Sequence, residues 1–186
     1  MTRSLRTAAF AASTLILGAG AVLAATPAAQ ITAAEVEEAQ AAWGEALVRI
    51  SAAHAEGGID EARSAAEAVL DSLYAFDAGP VLFKPTLTGG PQTFRTTRDG
   101  ALSYFVGHDP EFPGDSGFAL KGWTDVQIQN AAIHIEGDTA LTMGNVLITD
   151  ASGAVTTVDK TWGFSRDAQG DLRIVLHHSS LPFAVE

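Results

Sequence analysis

The hydrophobic pattern of the chain changes its period near residue 80, from a spacing typical of helices to one typical of strands. Before that point apolar residues recur every three or four positions. In the first such run they are Val36, Ala39, Trp43, Leu47 and Ile50. The run follows Thr32-Ala-Ala-Glu35, which is a capping box. The pattern therefore predicts a long amphipathic helix that ends at Gly57-Gly58.

A second helix is predicted from about Asp60, and it stops before Asp77-Ala-Gly-Pro80. Its buried stripe consists of Ala62, Ala66, Val69, Leu70 and Leu73. Residues 81–86 then resemble a short strand, and residues 98–105 predict a third helix with Thr97 as its cap. The Pro- and Gly-containing stretch at 108–117 predicts a loop.

Beyond Trp123 the sequence predicts one strand after another. The four strands are residues 126–135, 139–149, 154–165 and 172–179. The segments between them are Glu-Gly-Asp, Asp-Ala-Ser-Gly and Asp-Ala-Gln-Gly, each a hairpin signal. The element order predicts an α+β fold, in which a cone-shaped, curved antiparallel sheet wraps around the N-terminal helices and leaves a pocket at its open end.

The first 25 residues are predicted to be a signal peptide. Residues 1–6 are basic, residues 8–23 are apolar, and the small residues Ala24 and Ala25 follow. An uncleaved membrane anchor is disfavoured because Ser13, Thr14, Gly18 and Gly20 interrupt the apolar run. We expect residues 26–186 to form one domain, and the mature protein to be periplasmic or secreted.

Charge and cysteine content restrict the function. The chain has 11 basic and 22 acidic residues, a net charge of −11, and no cysteine among 186 residues. Such an acidic protein is a poor partner for nucleic acid. Without cysteine, neither a disulfide nor a thiolate nucleophile or metal ligand is available.

Two histidines and two serines stand together in LHHSSLP, residues 176–182. Strict alternation along the last strand puts His178 on the apolar face, as a core histidine, and His177 with Ser179 on the other face. The adjacent imidazoles then point apart, and the other histidines, His54, His108 and His134, show no ligand spacing. We expect a metal-free site, with zinc or manganese dependence as the open alternative.

Four segments carry a resemblance to a known family. They are VLFKPTLT from Val81, GALSYFVG from Gly100, DSGFALKGW from Asp115 and IVLHHSSLP from Ile174. In this order they resemble the iota-class carbonic anhydrases. The domain of that class is similar to the association domain of calmodulin-dependent kinase and to the wider nuclear-transport-factor-2-like (NTF2-like, or SnoaL-like) cone. The resemblance implies that the chain interconverts CO2 and bicarbonate. The curved sheet leaves one face that the short helices cannot fully cover, so we also expect a homodimer.

The resemblance also implies the site. Metal-free members of the class bind bicarbonate through positions that correspond to Thr86, Tyr104 and Ser179, with Ser180 adjacent in the same motif. His177 shares the predicted face of Ser179 and is expected to set or relay the proton of Tyr104. We expect Tyr104 to polarise the attacking water, because a phenol has a reference pKa near 10 and serine and threonine hydroxyls titrate far higher.

A second interpretation comes from another functional class. NTF2-like cones also serve as non-catalytic or small-molecule-binding dimerisation modules, so the fold alone does not choose between the two. An isomerase would need a carboxylate base in the pocket, for which only Asp125 and Asp159 are candidates. Lys84 and Lys160 are expected to be solvated or ion-paired.

Overall fold

The structure, a computed structural model, describes residues 30–184. The predicted signal peptide lies outside these residues, so cleavage and export stay predictions. Within residues 30–184, no helix combines the length and hydropathy that a membrane crossing requires.

The two predicted N-terminal helices form one kinked helix, α1, over Ala33–Leu73. Its predicted capping box is present: Thr32 Oγ1 accepts from the Glu35 N–H at 3.3 Å, and the Glu35 carboxylate accepts from the Thr32 N–H at 2.8 Å. The kink lies at Gly58, whose φ of 78° and ψ of −158° are not helical. Glycine adopts that backbone conformation without steric cost, which explains the break at Gly57-Gly58.

A five-stranded sheet follows the helix. Its strands are β1 (Leu82–Lys84), β2 (Trp123–Glu136), β3 (Thr139–Asp150), β4 (Val155–Arg166) and β5 (Leu172–Ser180), and the helix α2 (Arg98–Val106) lies between β1 and β2. The order in the sheet is β1-β5-β4-β3-β2. Strands β2 to β5 form the predicted antiparallel meander, but β1 runs parallel to β5, so the sheet is mixed.

The core lies between α1 and the inner face of the sheet. Its largest fully buried side chains include Trp162, Tyr74, Phe83, Phe105 and Phe164. Trp43, on α1, packs edge-on against Trp162 with the ring centroids 5.5 Å apart. The fold predicted from the sequence, an α+β cone with helices inside a curved sheet, is confirmed.

A β-bulge in β5 breaks the alternation on which the face assignment was based. Phe164 pairs with Ile174 and Gly163 pairs with Leu176, which leaves Val175 as an extra residue. Ile174 and His177 therefore both face the core, where they are 1% and 3% exposed. His178 is exposed, so its prediction as the core histidine is wrong; the core histidine is His177.

Candidate functional site

The parallel pairing of β1 and β5 brings together the ends of two strands that are about 90 residues apart in the sequence. Phe83 is the partner of His177, and Lys84 is the partner of His178. The Lys84 ammonium donates a hydrogen bond to the backbone carbonyl of Ser179 at 2.8 Å. Thr86 follows two residues beyond β1 and lies near the hydroxyl of Tyr104.

Tyr104, on α2, packs against the end of β1. Its side chain is 5% exposed, its ring stacks on Phe118 at 5.4 Å, and it meets Phe83 edge-on at 5.7 Å. Phe83 also lies 4.3 Å from the His177 ring, centroid to centroid. Phe83 therefore packs against both Tyr104 on α2 and His177 on β5.

The hydroxyl of Tyr104 is buried and has no hydrogen-bond partner in the part of the chain that the structure describes. Burial raises the pKa of this phenol well above 10. Thr86 and the backbone of Leu87 lie close enough to oppose that shift in part, although none of these groups has the geometry of a hydrogen bond to the phenol. The phenol is therefore protonated and available as a donor, and it is a poor base.

Ser179 is the second buried hydroxyl without a partner. It is 1% exposed, and its Oγ has no hydrogen-bond partner among residues 30–184. An unpaired buried polar group costs about 1–3 kcal/mol, so each of the two hydroxyls is a candidate to bond a polar ligand. Both residues are among those that the sequence resemblance implied.

The structure does not bring Ser180 to this place. Ser180 points to the opposite face of β5, where it lines an open groove with Asp159 and His178. Ser179 is therefore buried on the inner face of the sheet, and Ser180 lies on the outer face. Asp159 also faces outward, where Asn145 donates to its carboxylate at 2.9 Å.

His177 lies on the same face as Ser179, as expected, but it does not bond to Tyr104. Its Nδ1 lies 2.8 Å from the Tyr74 hydroxyl oxygen, and its Nε2 contacts Lys160 Nζ. Burial, together with the neighbouring Lys160, lowers the pKa of this imidazole well below 6.5. The ring is thus neutral, and both of its nitrogens are engaged away from Tyr104.

Lys160 is the main site feature that the sequence reasoning missed. It is 4% exposed, and its Nζ lies 4.2 Å from the Trp43 ring centroid and 4.9 Å from that of Trp162. Its only side-chain hydrogen bond within the described residues is to His177. The prediction of a solvated or ion-paired lysine is wrong. The alternation of Val158, Lys160 and Trp162 along β4 was the available signal, because it places the lysine on the apolar face.

Tyr74 is the other missed residue. It is fully buried at the end of α1, and its hydroxyl accepts the indole N–H of Trp43 at 2.9 Å. Burial raises the pKa of this phenol well above its usual value near 10. Trp43, Tyr74, His177 and Lys160 therefore form one continuous row of hydrogen bonds behind the site.

A buried ion pair holds the helix that carries Tyr104. Arg95 donates to the Asp115 carboxylate at 2.9 Å, with both side chains less than 5% exposed, and Ser103 donates to the same carboxylate at 2.8 Å. Ser103 precedes Tyr104 on α2, and Asp115 begins one of the four recognised segments. This pair ties α2 to the loop at 108–117.

Metal ligands are not clustered in the described region. Residues 30–184 contain no group of three or more His, Asp or Glu side chains placed to hold one ion.

Comparisons with known proteins show the family to which the chain belongs. The family model described as metal-independent carbonic anhydrase matches residues 34–181. The chain is 60% identical over 153 residues to a metal-independent carbonic anhydrase from Nostoc sp. strain PCC 7120, covering 82% of this chain and 75% of that protein.

Solved structures show the same likeness. The chain is similar to a crystal structure of an iota-carbonic anhydrase from a cyanobacterium complexed with bicarbonate, with a TM-score of 0.83 and 59% identity, covering 84% of this chain and 95% of the other. It also shares its fold with a calcium/calmodulin-dependent protein kinase II association domain from Xanthomonas campestris, with a TM-score of 0.55 and 24% identity, covering 87% and 95% of the two chains.

Proposed function

Since the chain belongs to the metal-independent carbonic anhydrases, we propose that it interconverts CO2 and bicarbonate where Thr86, Tyr104 and Ser179 meet. The observation that carries the proposal is the pair of buried, unpartnered hydroxyls of Tyr104 and Ser179. Bicarbonate offers three oxygens in a plane, and hydroxyls from separate elements can converge on such a ligand without placing a fixed charge beside it.

The aromatic residues supply the other half of the site. Phe83 and Phe118 pack on Tyr104 and form an apolar wall against which neutral CO2 can lie. Bicarbonate binding in the structure of the similar cyanobacterial protein supports this assignment of the substrate.

Tyr104 and Ser179 act as donors in this proposal. When water adds to CO2, it loses one proton to solvent and negative charge develops on the CO2 oxygens. Preorganised donors stabilise that charge most strongly in a water-poor site. Burial raises the pKa of Tyr104, so its phenol holds its proton and donates to the developing charge. The earlier expectation that Tyr104 polarises the water is replaced by this role. His177 is placed behind the hydroxyls, because neither of its nitrogens is free to face the substrate.

Removing one hydroxyl at a time tests the site. Tyr104→Phe and Ser179→Ala should each lower kcat/KM for CO2 hydration by about 10²-fold, the typical loss for one preorganised donor, and Thr86→Ala should also impair turnover. Ser180→Ala is the matched control, since it removes the neighbouring hydroxyl from the outer face and should leave the rate unchanged. Stopped-flow hydration assays after treatment with a chelator measure all four.

Two outcomes would contradict the proposal. A wild-type protein that does not hydrate CO2, with or without added zinc or manganese, would favour the alternative of a non-catalytic dimerisation module. Equal losses in Ser179→Ala and Ser180→Ala would place the chemistry elsewhere.

A homodimer belongs to the same proposal. The outer face of the sheet carries exposed apolar side chains, including Leu141 and Met143, which are 44% and 62% exposed. α1 covers the opposite face, so a second copy of the chain is the partner proposed here.

A further inference from the structure

The row of hydrogen bonds behind the site has a direction. Trp43 can only donate through its indole N–H, and it donates to Tyr74. The Tyr74 hydroxyl then has one proton left, and His177 Nδ1 is its other hydrogen-bond partner among residues 30–184. We assign that proton to a bond from Tyr74 to Nδ1.

This assignment fixes the tautomer of His177. A neutral imidazole that accepts at Nδ1 carries its proton on Nε2, and Nε2 faces Lys160 Nζ. An ammonium has only donors, so it would set N–H against N–H there. A neutral amine has a lone pair that accepts the Nε2 proton. With this tautomer, the donor count along the row calls for an uncharged Lys160.

The surroundings of Lys160 agree with an uncharged amine. The titratable group that contacts it is His177 from β5, which bonds to Tyr74 through its other ring nitrogen. His178 lies nearby, and no carboxylate bonds to Lys160 within the described residues. Burial lowers the pKa of Lys160 well below 10.5. The faces of Trp43 and Trp162 alone oppose this, because indole rings attract a cation.

Lys160 is also the cross-strand partner of Ser179. The two residues are paired between β4 and β5, and both are buried on the inner face. Side chains paired in this way start about 5 Å apart at their Cβ atoms, which a lysine side chain spans easily. An amine that accepts from His177 still has two N–H groups to give, and Ser179 Oγ is an unpartnered buried acceptor on this face.

We propose that Lys160 is a positioning residue that works as a neutral amine: held by the row from Trp43 through Tyr74 and His177, it turns the Ser179 hydroxyl into a hydrogen-bond donor for the substrate. If the serine oxygen accepts from Lys160, its own proton points to the developing charge on CO2. The inference rests on the proposed carbonic anhydrase function and assigns the residue that orients one of its donors.

The protonation state is tested first, on the unmodified protein. The chain has three lysines, Lys84, Lys121 and Lys160, so a protein labelled with ¹⁵N at lysine Nζ gives three signals. We expect one of them to be that of a neutral amine at pH 8 and to be missing in Lys160→Met. Three ammonium signals at pH 8 would overturn the inference.

The functional role is tested by kinetics. Lys160→Met removes the amine, and Lys160→Arg keeps length and positive charge but has no lone pair to accept from His177. Both should lower kcat/KM for hydration by about 10²-fold, while Lys121→Met, an exposed lysine, should match the wild type. Wild-type rates in Lys160→Arg would mean that a cation suffices and would overturn the role of the neutral amine.

A double-mutant cycle separates positioning from a general structural effect. If Lys160 acts through Ser179, then Lys160→Met combined with Ser179→Ala should lose no more than Ser179→Ala alone. Multiplicative losses would overturn the coupling, and an active wild type with an unimpaired Lys160→Met would overturn the inference while the carbonic anhydrase function stands. A wild type without activity would overturn both.

Discussion

At the residue scale, the two tyrosines of the chain show how differently two buried hydroxyls can be used. Tyr74 accepts from Trp43 and bonds to His177, so its hydroxyl is fully paired. Tyr104 is buried almost as deeply, yet its hydroxyl has no partner among the described residues. The first hydroxyl contributes to the stability of the fold. The second is buried without a partner and therefore reduces that stability.

The same substitution at the two positions should therefore change the free energy of unfolding by different amounts. Tyr74→Phe leaves the Trp43 N–H and His177 Nδ1 unpaired in the core and should lower the free energy of unfolding by about 1–3 kcal/mol. Tyr104→Phe leaves no new group unpaired and should change it by less than about 0.5 kcal/mol. Urea unfolding followed by tryptophan fluorescence measures both, and equal effects of the two substitutions would contradict the pairing described for Tyr74.

At the element scale, two local irregularities position the hydrogen-bonded row of Trp43, Tyr74 and His177. The bulge at Val175 turns His177 toward the core, and with it Ser179, two residues further on. The kink at Gly58 lets a single chain segment supply both the part of α1 that carries Trp43 and the part that ends at Tyr74. Regular elements would not bring Trp43, Tyr74 and His177 into one row.

Because of the kink, adding a side chain at Gly58 should lower the free energy of unfolding. Gly58→Ala meets no atom within 4 Å of the added Cβ, so its whole effect comes from a backbone conformation that only glycine adopts readily. It should lower the free energy of unfolding by about 1–3 kcal/mol. Gly114→Ala is the control, since Gly114 is equally open and does not have a positive φ. A loss no larger than that of the control, measured by urea unfolding, would show that α1 straightens to accept alanine.

At the scale of the whole molecule, the sheet has one covered and one open face. Leu141 and Met143 on β3 are 44% and 62% exposed on the outer face. Val155 on β4, 55% exposed, lies on the same face at the far end of the strand pair, opposite Thr149. A second chain that covers this face would bury apolar area worth roughly 25 cal/mol per Å². The proposed dimer is therefore expected to depend on these side chains.

Light scattering at micromolar concentration tests the assembly. The wild type should have the mass of two chains, and Met143→Lys should shift it toward one chain, because a buried unpaired charge at the interface is costly. Phe94→Lys changes an equally exposed apolar residue in a loop, 69% exposed, and should leave the dimer intact. A wild type that is monomeric would contradict the assembly and leave the fold and the site unaffected.

Local chemistry determined most of what could be predicted from the sequence. The capping box at Thr32, the break at Gly58 and the hairpin turns depend on neighbours within a few residues, so the elements and the α+β class follow from the sequence pattern. Resemblance of four short segments singled out Thr86, Tyr104 and Ser179. The inward position of Lys160 was encoded by the alternation of β4, but the general preference of lysine for solvent concealed it.

Tertiary structure alone decided the rest. The parallel pairing of β1 with β5 joins residues about 90 positions apart, and no turn sequence between the two strands predicts that pairing. The bulge at Val175 depends on how β5 packs on β4, and it reversed the assignment of the two histidines. Lys160 lies against Trp43 and His177, which come from distant parts of the chain. Long-range pairing and the bulge are properties of the assembled core, and that is why no local pattern revealed them.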